Sequence, residues 1–275
     1  MFELLKYSFF TNALAGLAII SVASAIIGTY IVTRRLVSLS GGVTHACFGG
    51  LGLGYYFGVN PIFMAALFAI ASSMGVELMS TRGRIREDSA TAVVWALGMA
   101  VGILFVFLTP GYVPELNSFL FGNVLTIASG DLWAFGIFTI VLLIFFALFY
   151  NKIVFCAFDR DFAKVMHLPV RFINYSMTVL VAVCIVLTIR LVGVMLLMSM
   201  LTLPQMIAEL FYRKFGSVML ASVIVSLVCC IGGLLLCTVI DVPCSALIVL
   251  GMCFLYLCLT VALPLVRNNR RVKPL

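Results

Sequence analysis

The sequence predicts an all-α fold: a polytopic helical membrane protein with about nine transmembrane helices. Apolar residues make up 64% of the chain, charged residues only 10%, and the mean hydropathy is +1.25. A stretch of 41 residues, 36–76, contains no Asp, Glu, Lys or Arg. These values exclude a chain whose whole surface meets water. The net charge of +7 comes from short clusters between apolar runs, which is typical of topology-setting charges and not of nucleic-acid binding.

A helix needs about 20 apolar residues to cross the hydrocarbon core, and this length divides the chain into spans. The nine predicted spans are residues 10–33, 38–57, 61–80, 90–108, 131–150, 172–190, 192–212, 217–239 and 243–265. The turn sequences GVNP and DVP bound the third and ninth spans. Only Arg190 separates the sixth span from the seventh, so these two are alternatively one broken unit. The first uncharged run is too long for a signal peptide, and we expect it to remain as a span.

The distribution of positive charge predicts the orientation of the spans, because cytoplasmic loops hold the excess of Lys and Arg. With nine spans and a cytoplasmic C-terminus, 15 of the 17 positive residues lie on the inner side. Only Lys6 and Arg190 then lie outside. One span more or fewer would move every later cluster to the opposite side, so the charge bias supports the span count.

All residues, 1–275, are predicted to form a single membrane domain. The sequence contains no GxxxxGK[ST] nucleotide-binding motif, so any energy taken from ATP must come from a separate chain. The nine cysteines lie almost entirely in apolar runs without CxxC spacing, which gives no indication of a zinc or redox site.

The second span contains the motif VTHACFGG and one of the two histidines of the chain. Gly42, Ala46, Gly50 and Gly54 recur at every fourth residue, a stripe that permits close helix packing in a membrane. His45 is next to this stripe and, counted from the charged start of the span, roughly 15 Å deep. Two interpretations stay open: a neutral imidazole that only packs, or a functional site, since ionisable groups at such depth are costly.

The segment AFDRDFAKVMHLPV between the fifth and sixth spans predicts a short amphipathic helix on the cytoplasmic surface, at about residues 158–169. Asp159 or Asp161 can cap it, and Phe162, Val165 and Met166 form an apolar patch. Such a helix either lies among lipid headgroups or inserts into a groove of a cytoplasmic ATPase.

Two carboxylates and three methionines are weaker pathway candidates. Glu77 and Glu209 lie one turn from the cytoplasmic ends of their spans, where solvent or a neighbouring arginine can pair with them. Met195, Met198 and Met200 offer soft sulfur ligands, although methionine at helical spacing more often packs a core.

Six segments in this order resemble the ABC-3 family of membrane permeases over nearly the whole chain. They are IVTRRLVSLSGGVTHACFGGLGLGYYFG, REDSATAVVWALGMAVGILF, LNSFLFGNVLTIASGDL, FDRDFAKVMHLPV, RLVGVMLLMSMLTLPQMIAELF and DVPCSALIVL. There are two departures from the family pattern. Many members have an Asp four residues before the histidine, where this chain has Gly41, and a Gly before Leu-Pro, where it has His167.

The resemblance implies an ABC importer permease-like fold and a function: the membrane-spanning subunit of an ATP-driven importer for zinc, manganese or iron. It implies a homodimer in a bacterial cytoplasmic membrane, a separate ATPase that binds ATP, and an extracytoplasmic metal-binding protein. No enzymatic activity, permanently bound cofactor or nucleic-acid partner is expected. His45 would be a transient metal ligand, and Glu115 and Asp131 would lie where the binding protein docks. The residues implied to couple to the ATPase are Asp159, Asp161, Phe162, Ala163, Val165 and Met166.

Three other classes remain as alternatives. A proton- or sodium-coupled secondary transporter would be expected to have deeply buried carboxylates and an internal inverted repeat, and the sequence shows neither. A membrane-embedded enzyme is disfavoured because no nucleophile, base and orienting group cluster on one side. A structural membrane subunit is the third alternative.

Overall fold

The structure is a computed structural model that describes residues 7–83, 85–111, 122, 124–240 and 242–271. The described residues form α-helices and one 3-10 turn, with no β-strand among them, so the all-α prediction is confirmed. In chain order the elements are α1 (Ser8–Thr33), α2 (Val37–Phe57), α3 (Pro61–Gly83), α4 (Glu87–Leu108), the 3-10 turn Val124–Thr126, α5 (Ser129–Phe158), α6 (Arg160–Val165), α7 (Val170–Met200), α8 (Leu203–Glu209), α9 (Phe215–Ile240) and α10 (Cys244–Arg271).

Seven stretches of the described chain are long and apolar enough to cross a membrane. Helix α2 is not one of them, because its six glycines and its histidine lower its hydropathy. It does not need an apolar surface, since it packs between α3, α4 and α7 and most of its residues are buried. Each of the nine predicted spans coincides with helix, and α7 and α8 together account for the sixth and seventh.

The stripe of small residues on α2 packs against two different helices. Gly42 and Ala46 lie against α4, whereas Gly50 and Gly54 lie against the first two turns of α3. The change of partner follows from helix geometry, because a step of four residues turns the helix by about 400°, or 40° beyond a full turn. The predicted packing stripe therefore exists, but it winds from one neighbour to the next.

Helix α4 approaches α2 closely through Gly98 and Gly102. A Cβ atom on Gly98 would lie 2.5 Å from the Cα of Ala46, and one on Gly102 would lie 2.5 Å from the carbonyl oxygen of Phe48. Both distances are too short for any side chain, so the two backbones meet directly. This is the small-residue contact that holds membrane helices together when lipid gives no hydrophobic drive for association.

The sixth and seventh predicted spans meet at Gly193. This residue has φ of 82° and ψ of 169° within α7, a conformation that essentially only glycine adopts. Before it, α7 passes Leu51, near the outer end of α2, and reaches Arg190. After it, Met198 contacts Thr44, in the inner half of α2. Since α2 runs from the inner side outwards, these contacts indicate that the chain turns back at Gly193.

The segment after this turn, residues 194–209, is named here the return segment. It consists of the end of α7, a break at residues 201–202, and α8. Gln205 is fully buried and its side-chain NH2 group lies 3.3 Å from the carbonyl oxygens of both Met200 and Ser24. The amide thus supplies a hydrogen bond to a carbonyl at the helix break, where lipid supplies none. The predicted seventh span, 192–212, is therefore shorter and interrupted.

Arg34 joins three helices at the predicted cytoplasmic side. Its guanidinium donates to the side-chain oxygen of Asn174 on α7 at 3.2 Å and to the carbonyl oxygen of Cys156 on α5 at 3.5 Å. It also lies 3.4 Å from the hydroxyl of Tyr30 on its own helix. A charge that predicts topology in the sequence therefore also fixes α1 against α5 and α7.

We expect Gly98→Ala to destabilise the protein, because the new methyl group has no space against α2. Overpacking of this kind costs about 1–3 kcal/mol, more than the roughly 1 kcal/mol that alanine gains in helix propensity. Gly136→Ala on α5 is the matched control, since a Cβ there meets nothing within 4 Å. The measurement is the midpoint of thermal unfolding in detergent. A Gly98→Ala midpoint equal to or above that of the control would contradict the close contact.

Candidate functional site

His45 lies in the inner half of α2, with its ring against aromatic side chains. The indole of Trp95 on α4 stacks on the imidazole, with the ring centroids 4.7 Å apart and the planes 7° from parallel. Phe48 lies 6.2 Å away on the same helix. The Nδ1 atom is buried and has no hydrogen-bond partner among the described residues. The imidazole is therefore held by stacking and keeps a ring nitrogen free of protein hydrogen bonds.

The side chain that faces α2 one turn before His45 is Met198 of the return segment. A Cβ atom on Gly41 would lie 3.2 Å from the terminal methyl of Met198. The hydroxyl of Thr44 donates to the carbonyl oxygen of Ser40 at 2.7 Å and lies 3.7 Å from the Met198 sulfur. The space beside Gly41, where an aspartate was expected from the resemblance, is thus next to a thioether.

A line of partly exposed polar and sulfur-containing side chains continues from this point along the return segment. We name this line, together with the two stacked rings, the polar strip. Its members are His45, Trp95, Met195, Met198, Ser199, Thr202, Met206 and Glu209. The hydroxyls of Ser199 and Thr202 donate to backbone carbonyls one turn earlier, at 3.1 Å and 2.9 Å.

The polar strip differs from the surfaces that face lipid. On α9 the exposed side chains between residues 220 and 236 are Leu220, Ile224, Val228 and Leu236, all aliphatic and four or eight residues apart. A helix face of that composition suits hydrocarbon. A face with hydroxyls, a carboxylate and an imidazole does not, because polar groups in lipid need partners or water. The polar strip is therefore a protein-facing or water-facing surface.

The strip ends in a cavity of about 420 Å³ at the predicted cytoplasmic side. Glu209, Arg213, Tyr256 and Thr260 contribute polar groups to its lining. Of the two carboxylates proposed from the sequence, Glu209 therefore lies on the strip. Glu77 instead lines a separate inner cavity of about 860 Å³, together with Lys164 and Arg171.

At the predicted outer side, Asp131 forms an ion pair with Arg190, with 2.7 Å between carboxylate oxygen and guanidinium nitrogen. The pair joins the first turn of α5 to α7 just before Gly193. Asp131 is 15% exposed and Arg190 45%, so the carboxylate is the inner member. Glu115, the other outer residue named from the sequence, lies outside the described residues.

The predicted amphipathic helix is α6, which begins one residue after Asp159 and ends at Val165. The Asp159 carboxylate accepts a hydrogen bond from the backbone N–H of Phe162 at 2.9 Å, which is an N-terminal cap. Of the two aspartates considered for this role, Asp161 has a side chain outside the described part of the structure. The helix is shorter than the predicted range of 158–169 because the chain turns at Met166.

The turn after α6 explains one departure from the family pattern. His167 has φ of 54°, the left-handed conformation that glycine favours after a helix. The N–H of Leu168 bonds to the carbonyl of Ala163 at 3.1 Å and closes the helix end. The histidine thus adopts a left-handed conformation of the kind that glycine commonly supplies at a helix end.

The apolar patch of α6 points away from the protein. Val165 is 73% exposed, and Phe162 and Met166 are also exposed. Ala163 is fully buried, so it packs against the rest of the protein and cannot contact another molecule. Trp95 was not predicted as part of the site, although it lies in the second of the six segments, near the start of α4.

We expect the stacked pair of His45 and Trp95 to show energetic coupling of about 0.5–1.5 kcal/mol in a double-mutant cycle. The cycle compares His45→Ala, Trp95→Ala and the double variant by thermal unfolding in detergent. Trp133, which is 75% exposed, provides the control cycle with the same histidine. Additive effects in the Trp95 cycle, as in the control, would contradict a stacking interaction.

The comparisons with known proteins agree with this architecture. Residues 6–262 match the model of the ABC 3 transport family. A probable metal transport system membrane protein of Chlamydia pneumoniae is 34% identical over 229 residues, which cover 81% of this chain and 78% of that protein. The manganese transport system membrane protein MntC of Listeria monocytogenes is 31% identical over 220 residues, 80% of this chain and 78% of that protein.

A solved structure, PsaBC from Streptococcus pneumoniae in complex with Fab, has the same fold. The TM-score is 0.81 at 24% identity, and the alignment covers 93% of this chain and 92% of that chain. The family match spans nearly all the helices described above, including the polar strip and α6. The chain therefore belongs to the ABC 3 transport family, a family of membrane permeases.

Proposed function

We propose that this chain is the membrane-spanning subunit of an ATP-driven importer for divalent transition metal ions, namely zinc, manganese or iron. The family membership and the names of the relatives support a transported metal. The observation that carries the proposal is the polar strip, a line of donor atoms on a chain whose other exposed helix faces are mainly apolar.

The polar strip implies a second copy of the chain. A pathway for a divalent ion must be shielded from lipid, because an exposed ion in hydrocarbon has no solvation. The strip lies on the outside of a single chain, so one chain alone cannot enclose the pathway. In a homodimer the two strips would face each other and form a pathway at the interface.

His45 would act as a transient ligand in this pathway. Neutral imidazole binds zinc and related ions. Nδ1 is buried, so the other ring nitrogen, Nε2, would be the ligand that meets the ion. The stacked Trp95 limits rotation of the ring. A single imidazole from each chain binds weakly, which suits a site that an ion must also leave. Release would follow through the cavity at Glu209.

Helix α6 would transmit the action of a separate cytoplasmic ATPase. Asp159 and Asp161 lie at its start. The apolar side chains Phe162, Val165 and Met166 would enter a groove of that ATPase, and Ala163 would keep the helix attached to α5.

At the opposite face, Glu115 and Asp131 would lie where an extracytoplasmic metal-binding protein docks. Because Asp131 pairs with Arg190, docking would bear on the outer end of α7. This arrangement suits a bacterial cytoplasmic membrane with the C-terminus inside.

Metal uptake into proteoliposomes tests the function. We expect the chain and its co-purifying ATPase to import zinc, manganese or iron only when ATP is present, and His45→Ala or His45→Gln to lower the rate by about tenfold or more, the value of a lost ligand. Trp133→Phe is the control. ATP-independent uptake driven by a proton gradient would show a secondary transporter instead. Unchanged uptake by both His45 variants would return the histidine to a packing role.

A charged residue in the α6 patch tests the coupling. We expect Val165→Asp to abolish co-purification of the ATPase, because it places a carboxylate in the apolar contact. Since Val165 is 73% exposed, the permease should fold normally, as checked by its thermal midpoint. Leu148→Ala on α5 is the control, because Leu148 is 72% exposed and lies away from α6 in the sequence. Full ATPase recovery with Val165→Asp would refute the role of α6.

A further inference from the structure

We propose that the polar strip favours the softer divalent ions, Zn²⁺ and Fe²⁺, over Mn²⁺, because thioether sulfur lines it where carboxylate oxygen would suit manganese. This inference rests on the proposed function, since it names which ions the pathway accepts.

The donor atoms of the strip carry the argument. Between Trp95 and Glu209 they comprise one imidazole, two hydroxyls and the three thioethers of Met195, Met198 and Met206. No member of the strip other than Glu209, at its inner end, has a carboxylate. Both hydroxyls donate to backbone carbonyls, and their oxygen lone pairs stay available. The side-chain ligands that an ion meets before the inner cavity are therefore imidazole nitrogen, thioether sulfur and neutral hydroxyl oxygen, with no carboxylate among them.

These methionines differ from the methionines of the core. Met177, Met200 and Met252 have no exposed surface, as expected for packing residues. Met195 and Met206 are 40% and 36% exposed, and Met198 is partly exposed beside α2. Exposure to lipid does not account for them, because the same face carries Ser199, Thr202 and Glu209. These three side chains are therefore partly exposed on a polar surface.

The spacing distributes the sulfur atoms along the pathway. Met195 and Met198 are about 4.5 Å apart along the helix axis. Met206 lies beyond the break at residues 201–202, in α8. Two copies of the chain would supply these ligands in pairs. Each thioether is a weak ligand by itself, so an ion can move from one level to the next.

The preference follows from ligand chemistry. Manganese(II) suits carboxylate, carbonyl and water ligands, whereas imidazole suits zinc and iron, and thioethers suit softer metals. The order of divalent affinities also rises from manganese through iron towards the later metals. A strip of nitrogen and sulfur donors strengthens this order, and a carboxylate would weaken it.

The first experiment measures ATP-dependent uptake of Zn²⁺, Fe²⁺ and Mn²⁺ in competition, in proteoliposomes that hold the permease and its ATPase. We expect the wild type to prefer zinc or iron over manganese by about tenfold. The variant with Met195→Leu, Met198→Leu and Met206→Leu keeps the volume but removes the sulfur, and should lower that ratio severalfold. Its control carries Met64→Leu, Met74→Leu and Met219→Leu, partly exposed methionines on α3 and α9.

The second experiment adds a carboxylate to the strip. Gly41→Asp places it one turn before His45, where the nearest atom to a new Cβ is the flexible end of Met198 at 3.2 Å. We expect manganese uptake to rise relative to zinc and iron. Gly41→Ala is the control, since it adds the same Cβ without the carboxylate.

The outcomes separate the two proposals. Absence of ATP-driven uptake for every ion would refute the proposed function and this inference with it. Uptake that prefers manganese in the wild type would refute only this inference. An ion ratio that stays the same in the strip variant, or that shifts equally in its control, would also refute it.

Discussion

The close approach of α2 to α3 and α4 is the contact on which the remaining arrangement depends. Small residues on both sides bring the backbones together, so α2 is enclosed by protein on most of its surface. An enclosed helix tolerates an imidazole and six glycines that a lipid-facing helix would not. The same contact brings Trp95 over His45 and leaves the ring beside the return segment. Packing by the smallest side chains thus determines where the most polar group of the span lies.

The return segment depends on a second constraint, the need to satisfy backbone groups away from water. A sharp reversal within the bundle interrupts helical hydrogen bonds, and it is tolerated because Gly193 adopts the required conformation and Gln205 bonds across the later break. The line of donor atoms proposed as a pathway therefore lies on an irregular part of the backbone.

Local sequence was sufficient to predict the membrane class, the approximate span bounds, the cap at Asp159 and the exposed patch of α6, because composition, turn residues and periodicity determine each of them. Features that depend on which helices become neighbours were not predicted. The four-residue spacing winds the stripe by about 120° from Gly42 to Gly54 but does not reveal which helices the two glycines contact. The sequence suggested Met198 as a possible soft metal ligand, but only the fold shows that it lies beside Gly41. The turn was expected at Arg190, a charge, and occurs at Gly193, where backbone conformation demands glycine.

The length of the return segment has an electrical consequence. With its two helical parts end to end, the return segment would extend about 24 Å, less than the roughly 30 Å of the hydrocarbon core. A polar cavity of about 420 Å³ continues from its inner end. If water fills that cavity, the electric potential at Glu209 would be close to that of the cytoplasm. The membrane voltage would then fall across a layer of protein thinner than the full bilayer. If the chain imports a doubly charged ion as proposed, the ion gains about 4.6 kcal/mol per 100 mV in total, and most of that work would be done between the turn at Gly193 and the end of α8.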